Sequence, residues 1–119
     1  MTLDKKELGA RGERAALRFL RRNGMRLRMR NWRSRSGEVD LVMEESGTIV
    51  FVEVRTRSGE TPDRPLEMLG AAKRRRMVRV AEDYLYRYKL LDRLWRIDCV
   101  FVTFDGRRAA GFEHVENAV

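Results

Sequence analysis

The chain has 119 residues, one cysteine and a formal net charge of +8, with 26 Lys and Arg against 18 Asp and Glu. This length predicts a single domain over residues 1–119, because a chain of this size buries enough surface for one core without disulfides. No apolar stretch is long enough for a signal peptide or a membrane span, and a lone cysteine is typical of a reducing compartment. We therefore expect a cytoplasmic protein without a membrane partner.

The positive charge comes mainly from arginine, and much of it is clustered in the sequence. The two clusters are Arg26/Arg28/Arg30/Arg33/Arg35 and Lys73-Arg74-Arg75-Arg76. Arginine pairs bidentately with phosphate, so the clusters favour a nucleic-acid partner, with DNA ahead of RNA. A solubilising charged surface is the alternative, and charge alone does not separate the two.

Residues from about Asp4 to Asn23 have the pattern of an amphipathic helix. Asp4 and Glu7 have capping-box spacing, and Asn23 with Gly24 is a stop signal. Glu13 lies on or beside the apolar face, where it is either a partly exposed residue paired with a nearby arginine or a functional carboxylate. The apolar face consists of Leu8, Gly12, Ala16, Leu17 and Leu20.

The next segment, from Met25 to Arg33, alternates apolar and basic residues and predicts an edge strand. Its arginines would protect the edge against aggregation or contact phosphates. The predicted buried face consists of Met25, Leu27 and Met29.

A β-hairpin is predicted from Gly37 to Arg57, with the loop at Glu44 to Gly47. A register with Met43 opposite Val50 gives one face made only of apolar pairs, and a buried face of this kind fixes register. The predicted apolar pairs are Met43/Val50, Leu41/Val52 and Val39/Val54.

The same register places charged residues on the other face of the hairpin. Asp40 lies opposite Glu53, with Cβ atoms about 5 Å apart, and Glu38 lies opposite Arg55. Facing carboxylates destabilise a strand pair unless cations neutralise them or a divalent metal binds between them. Asp40 and Glu53 are therefore candidate ligands for Mg²⁺ or Mn²⁺.

A loop from Thr56 to Pro65 leads into a second predicted helix, from Pro65 to about Tyr88. Lys73 lies on its apolar stripe and is expected to point towards the sheet. The stripe consists of Leu66, Leu69, Met77, Val80, Ala81, Tyr84, Leu85 and Tyr88.

A buried strand is predicted from Trp95 to Phe104, and a weaker one around Gly111 to Val115. The strand, helix, strand order predicts a parallel pair with a right-handed crossover. His114, the only histidine, is predicted to be a surface residue rather than a base or a ligand.

Several short motifs occur in a characteristic order and spacing along nearly the whole chain. They are Glu13, Asn31-Trp32-Arg33, Gly37 to Val42, Phe51 to Arg57, Lys73, Ala81 with Tyr84-Leu85, Arg96-Ile97-Asp98, and His114-Val115 with Asn117-Ala118. Together these motifs resemble the YraN family of small bacterial proteins. That family is similar to the PD-(D/E)XK nuclease superfamily, and most similar in layout to archaeal Holliday junction resolvases.

The resemblance implies an α/β, restriction endonuclease-like core with a mixed sheet flanked by helices. It implies active-site carboxylates at Glu13, Asp40 and Glu53. The lysine of the family's E-x-K position falls on Arg55, which is permanently protonated and stabilises charge without deprotonating a water. Lys73 is a candidate substitute for that lysine. Val39 stands where the superfamily has proline.

Three functional hypotheses follow from the sequence. The first is a Mg²⁺- or Mn²⁺-dependent endonuclease acting on structured or branched DNA, for which the resemblance to the resolvases makes a homodimer a candidate assembly. The second is a non-catalytic DNA- or RNA-binding module on a nuclease-derived fold, and the third is a domain that binds an acidic protein. Candidate nucleic-acid contacts are Arg33, Arg35, Arg57, Arg74 and Arg75, and the candidate catalytic set is Glu13, Asp40, Glu53, Arg55 and Lys73.

Overall fold

Five strands form one mixed sheet, and two helices cover it, in a computed structural model that describes residues 4–58 and 69–119. The strand order is the same as the chain order; the third and fourth strands are parallel and all other neighbours are antiparallel. The predicted α/β class and mixed sheet are confirmed, and the handedness of the crossover stays a prediction. The elements are α1 (Lys5–Arg22), β1 (Arg26–Ser34), β2 (Gly37–Glu45), β3 (Thr48–Ser58), α2 (Ala71–Arg87), β4 (Trp95–Asp105) and β5 (Arg108–Val115).

The two helices pack on opposite faces of the sheet. Because alternate residues of a strand point to opposite faces, Val50 and Val52 of β3 join a core cluster with α1, while Ile49 and Phe51 join one with α2. The charged site described below lies within β2 and β3, at the point where these two strands cease to pair with each other. The helix residues buried in the clusters are Ala16, Leu17 and Leu20 of α1, and Val80, Ala81, Tyr84 and Leu85 of α2.

Helix α1 begins and ends where the sequence predicts. Asp4 is the N-cap, and its Oδ1 accepts the backbone N–H of Glu7 at 2.8 Å. Asn23 is the C-cap, and Gly24 follows with φ of +92°, a backbone conformation that favours glycine.

Strand β1 is the predicted edge strand, but its residues do not share one buried face. The pairing of β1 with β2 shifts by one residue between Leu27 and Met29. A one-residue shift reverses the face to which later side chains point, so Leu27 packs against the α1 cluster and Met29 against the α2 cluster. The prediction of a single buried face from Met25 to Met29 is therefore wrong.

The hairpin register is confirmed where β2 and β3 pair. Met43 lies opposite Val50 and Leu41 opposite Val52. The predicted pair Val39/Val54 is wrong, because Val39 belongs to the α2 cluster while Val54 packs against the α1 cluster.

Helix α2 is shorter than predicted. Gly70 is its N-cap and Tyr88 its C-cap, so the helix begins at Ala71. Leu69 is buried in a small separate cluster with Cys99 and Phe101, rather than on the helix stripe. The predicted helix start at Pro65 and the stripe residue Leu66 fall outside the described residues. Within residues 4–58 and 69–119, no helix is both long and apolar enough to cross a membrane.

Candidate carboxylate site

Asp40 lies where β2 and β3 cease to pair. The ladder ends with Leu41 opposite Val52, and beyond it Asp40 Oδ2 accepts the backbone N–H of Val54 at 2.8 Å. Burial of the Asp40 carboxyl, followed by the negative charges of Glu53 and Glu13, raises its pKa to about 7. Asp40 and Glu53 are thus close together, as the sequence predicts, but they are not a directly opposed pair of the β2–β3 ladder.

Glu53 is a buried carboxylate with two cationic neighbours. Its side chain is 11% exposed, and its Oε2 lies 3.0 Å from Lys73 Nζ and 3.4 Å from Arg55 Nε. Lys73 therefore reaches the sheet from the first turn of α2, as its place on the helix stripe predicts.

Glu13 approaches the same site from α1, because the helix packs closely on β3. A Cβ atom at Gly12 would overlap the side chain of Thr56, so only glycine permits this approach. Burial, and then the negative charge of Glu38, raises the pKa of Glu13, while Arg30 and a hydrogen bond with Asn31 oppose the increase. The cation that influences Glu13 is thus on β1 rather than on its own helix.

Arg55 is not the counter-ion of Glu38. Arg33 Nε lies 3.0 Å from Glu38 Oε2, whereas Arg55 faces Glu53. The expectation of a Glu38/Arg55 pair is therefore wrong. Within the described residues, Arg55 Nε is a buried donor without a hydrogen-bond acceptor, because its 3.4 Å contact with Glu53 lacks the required geometry.

The arginines predicted to contact nucleic acid fall into two groups. Arg57 Nε donates to Thr103 Oγ1 at 3.3 Å, and Arg74 Nε donates to the carbonyl of Leu69 at 3.2 Å, so both are anchored in the fold. The other three, which have exposed side chains, are Arg33, Arg35 and Arg75.

A second buried carboxylate, Asp98 of β4, is fully enclosed and held by several donors. Arg96 Nε lies 3.0 Å and 3.1 Å from its two oxygens, His114 Nε2 lies 2.8 Å away, and the backbone N–H of Asn117 donates at 3.1 Å. Burial favours a higher pKa for Asp98, but the hydrogen bonds from His114, Arg96 and Asn117 outweigh it and lower the pKa.

His114 is therefore not a free surface residue, and that prediction is wrong. Its side chain is 16% exposed and bonded to Asp98. The motifs containing Asp98 and His114 were visible in the sequence, but the antiparallel pairing of β4 with β5 is what brings them together. Asp98, His114 and Glu116 offer ligand atoms within 4.8 Å of one another, yet Asp98 is already neutralised by Arg96.

Together the fold and the site define an α/β domain in which three carboxylates and two cations meet where β2 and β3 separate. The chain matches the model of the Uncharacterised protein family UPF0102 over residues 12–102, and it belongs to that family. It is similar to UPF0102 proteins from Myxococcus xanthus (42% identical, covering 97% of this chain and 90% of the relative) and Chloroflexus aurantiacus (43% identical, covering 100% and 98%). A UPF0102 protein from Symbiobacterium thermophilum is 48% identical over 69% of this chain and 70% of its own length.

Proposed function

We propose that this protein binds nucleic acid and is a metal-dependent endonuclease that acts on structured or branched DNA. The observation that carries the proposal is the convergence of Glu13, Asp40 and Glu53, from three different elements, with Lys73 and Arg55 beside them. A saturated carboxylate such as Asp98 needs no further cation, whereas Asp40 accepts one backbone N–H and faces two like charges.

The donor set fits a hard divalent cation. Magnesium and manganese prefer carboxylate oxygens, and Asp40 and Glu53 would hold the ion, with Glu13 adjacent. When bound, the ion would polarise the scissile phosphate and lower the pKa of an attacking water. A bound cation would also offset the repulsion between the neighbouring carboxylates, which contributes to the raised pKa of Asp40.

The cations of the site would act on the phosphate itself. Arg55 Nε is a buried donor lacking an acceptor among the described residues, and a phosphate oxygen would satisfy it. Lys73, whose ammonium group lies in the site 3.0 Å from Glu53 Oε2, would stabilise the negative charge that develops on the phosphate during cleavage. The buried, free thiol of Cys99 suits a reducing cytoplasm as the place of action.

The test is cleavage of branched, forked and linear DNA by purified protein with Mg²⁺ or Mn²⁺. We expect Asp40→Asn and Glu53→Gln to reduce cleavage by at least about 100-fold, the loss typical for removal of one charge-stabilising group. Glu82→Gln, an exposed change on α2, is the matched control and should cleave normally. Absence of cleavage of every substrate by the wild type, with either metal, would refute the proposal.

A non-catalytic nucleic-acid-binding module is the second candidate, and Arg55 in the lysine position favours it. Arginine cannot accept a proton from a water, so in this reading Lys73 would have to take the role of the family's lysine. The module predicts salt-sensitive DNA binding that persists without metal and in Asp40→Asn. Lys73→Ala tests both candidates. The endonuclease predicts that this substitution abolishes cleavage, and the binding module predicts that it leaves metal-free DNA binding nearly unchanged.

A further inference from the structure

An open groove of about 1040 Å³ runs between the end of β1 and the C-terminal half of α2. Four of the side chains that line it are basic and two are acidic, and one of the acids, Asp83, accepts a hydrogen bond from Ser34 Oγ at 2.7 Å. The groove is therefore net positive. Its basic side chains are Arg33, Arg35, Arg87 and Lys89.

Aromatic rings line the same groove. Trp32 is fixed in its wall by edge contacts with Tyr84 at 5.2 Å and Tyr88 at 6.3 Å between ring centroids. Tyr86, by contrast, is 76% exposed, although a large aromatic side chain gains stability from burial. An exposed ring beside basic side chains is the combination on which single-stranded nucleic acid bases stack.

Shared lining residues link the groove, through two neighbouring depressions, to the carboxylate site. Arg33 and Ser34 also line a smaller depression with Gly37 and Glu38. Gly37 and Glu38 in turn line one with Lys73, which contacts Glu53. A nucleic-acid strand bound in the groove would thus lie on the same side of the molecule as a path of depressions that ends at Lys73.

We propose that this groove binds a single-stranded nucleic-acid segment, with bases stacked on Tyr86 and phosphates held by Arg33, Arg35 and Arg87. The inference rests on the proposed function and deepens it: the substrate class is DNA in which a duplex continues into a single-stranded arm. The duplex-to-single-strand junction is then positioned at Asp40 and Glu53. This chemistry requires unpaired bases, since paired bases within a duplex cannot stack on a protein ring.

The test measures metal-free binding by fluorescence anisotropy, with labelled oligothymidine, a blunt duplex, and the same duplex carrying a single-stranded arm. We expect Tyr86→Ala to weaken binding of oligothymidine and of the armed duplex by about 5- to 100-fold and to leave the blunt duplex nearly unchanged. Tyr86→Phe keeps the ring and should bind like the wild type. Since Tyr86 is exposed, its truncation leaves the core intact.

Arginine variants test the phosphate contacts in the same assay. Arg87→Gln should reduce the slope of log affinity against log salt by about 0.7, the value for one phosphate contact with a single strand. Arg22→Gln on α1, on the opposite face of the sheet, removes the same charge from an exposed position and should leave the slope nearly unchanged.

Two results would overturn the groove proposal. The first is equal binding of oligothymidine by the wild type and Tyr86→Ala. If, in addition, the wild type cleaved DNA and Asp40→Asn did not, the endonuclease proposal would stand without the groove. The second is Tyr86-dependent binding of a polyglutamate peptide with no binding of oligothymidine, which would identify an acidic protein partner. Tyr86-dependent binding in a protein that cleaves no DNA would support the groove and refute the endonuclease.

Discussion

Two buried carboxylates in the same sheet, Asp98 and Asp40, differ in what surrounds them. Asp98 is held by Arg96, His114 and a backbone N–H, and its pKa is lowered. Asp40 accepts one backbone N–H, lies close to Glu53 and Glu13, and has a pKa raised to about 7. The first arrangement stabilises a negative charge within the protein, and the second disfavours one, because burial and like charges surround Asp40.

The largest expected effect is the loss of stability on removing Asp98. Asp98→Ala leaves the poorly exposed Arg96 without its main partner, and breaking such a pair costs about 3–5 kcal/mol. Urea denaturation measures the free energy of unfolding. The matched change Asp105→Ala, at the exposed end of β4, should cost less than about 1 kcal/mol. Equal losses for the two variants would contradict the structural role of Asp98.

Asp40→Asn should stabilise the metal-free protein at high pH, in contrast to the loss of stability in Asp98→Ala. The folded pKa of Asp40 lies above its unfolded value of 3.8, so its stabilising contribution is present below about pH 4 and is lost as the pH rises through about 7. A pKa shift of this size corresponds to about 4 kcal/mol of folding free energy. Because the Asp40 side chain is partly exposed, we expect the measured change in stability to be about half of that value.

The measurement is the free energy of unfolding of wild type and Asp40→Asn at pH 4 and pH 8 in the presence of a chelator. Asparagine keeps an oxygen acceptor for the N–H of Val54, so the variant retains that hydrogen bond. We expect Asp40→Asn to be more stable than the wild type at pH 8 and not at pH 4. A variant that is less stable at pH 8 would show that the charge of Asp40 is compensated.

Added Mg²⁺ or Mn²⁺ should stabilise the wild type by about 1.4 kcal/mol at a tenfold excess over the dissociation constant. Asp40→Asn should lose this stabilisation, because it removes a proposed ligand. His114→Ala should retain it. If His114→Ala abolished the metal effect instead, the metal would bind at Asp98, His114 and Glu116, and the contrast between the two carboxylates would be reversed.

The hydrogen bond of His114 with Asp98 should contribute less to stability than Asp98 does as a whole. His114→Ala should cost about 1.5–3 kcal/mol at neutral pH, the usual value for a hydrogen bond to a charged group. The lowered pKa of Asp98 contributes stability that is present above about pH 3.8 and is lost as the pH falls through the folded value. The difference between variant and wild type should therefore shrink in acid unfolding curves, and a constant difference would contradict this.

Local patterns were sufficient to predict the elements and part of the site. Hydrophobic periodicity and caps located α1, the strands and the register of Met43 with Val50, because these depend on neighbouring residues. The position of Lys73 on a helix stripe correctly predicted its approach to the sheet. The metal, the DNA substrate and the catalytic roles stay predictions.

Local patterns failed where a one-residue irregularity or a long-range contact decided the outcome. The shift between Leu27 and Met29 reverses later side chains, and no local signal in the sequence marks it. Helix α2 begins at Ala71 although the apolar residues before it continue the helical spacing, since Leu69 is buried in a different cluster.

The sequence by itself determined which residue types were available: an amphipathic α1, an apolar β2–β3 hairpin and carboxylates at fixed positions along them. Only the tertiary structure decided their partners. In the folded chain Arg96 and His114 contact Asp98, whereas Asp40 lies near Glu53 and Glu13. The fold also places Tyr86 in a basic groove. The physical reason is that charge compensation depends on distances between elements far apart in the chain, whereas secondary structure depends largely on adjacent residues.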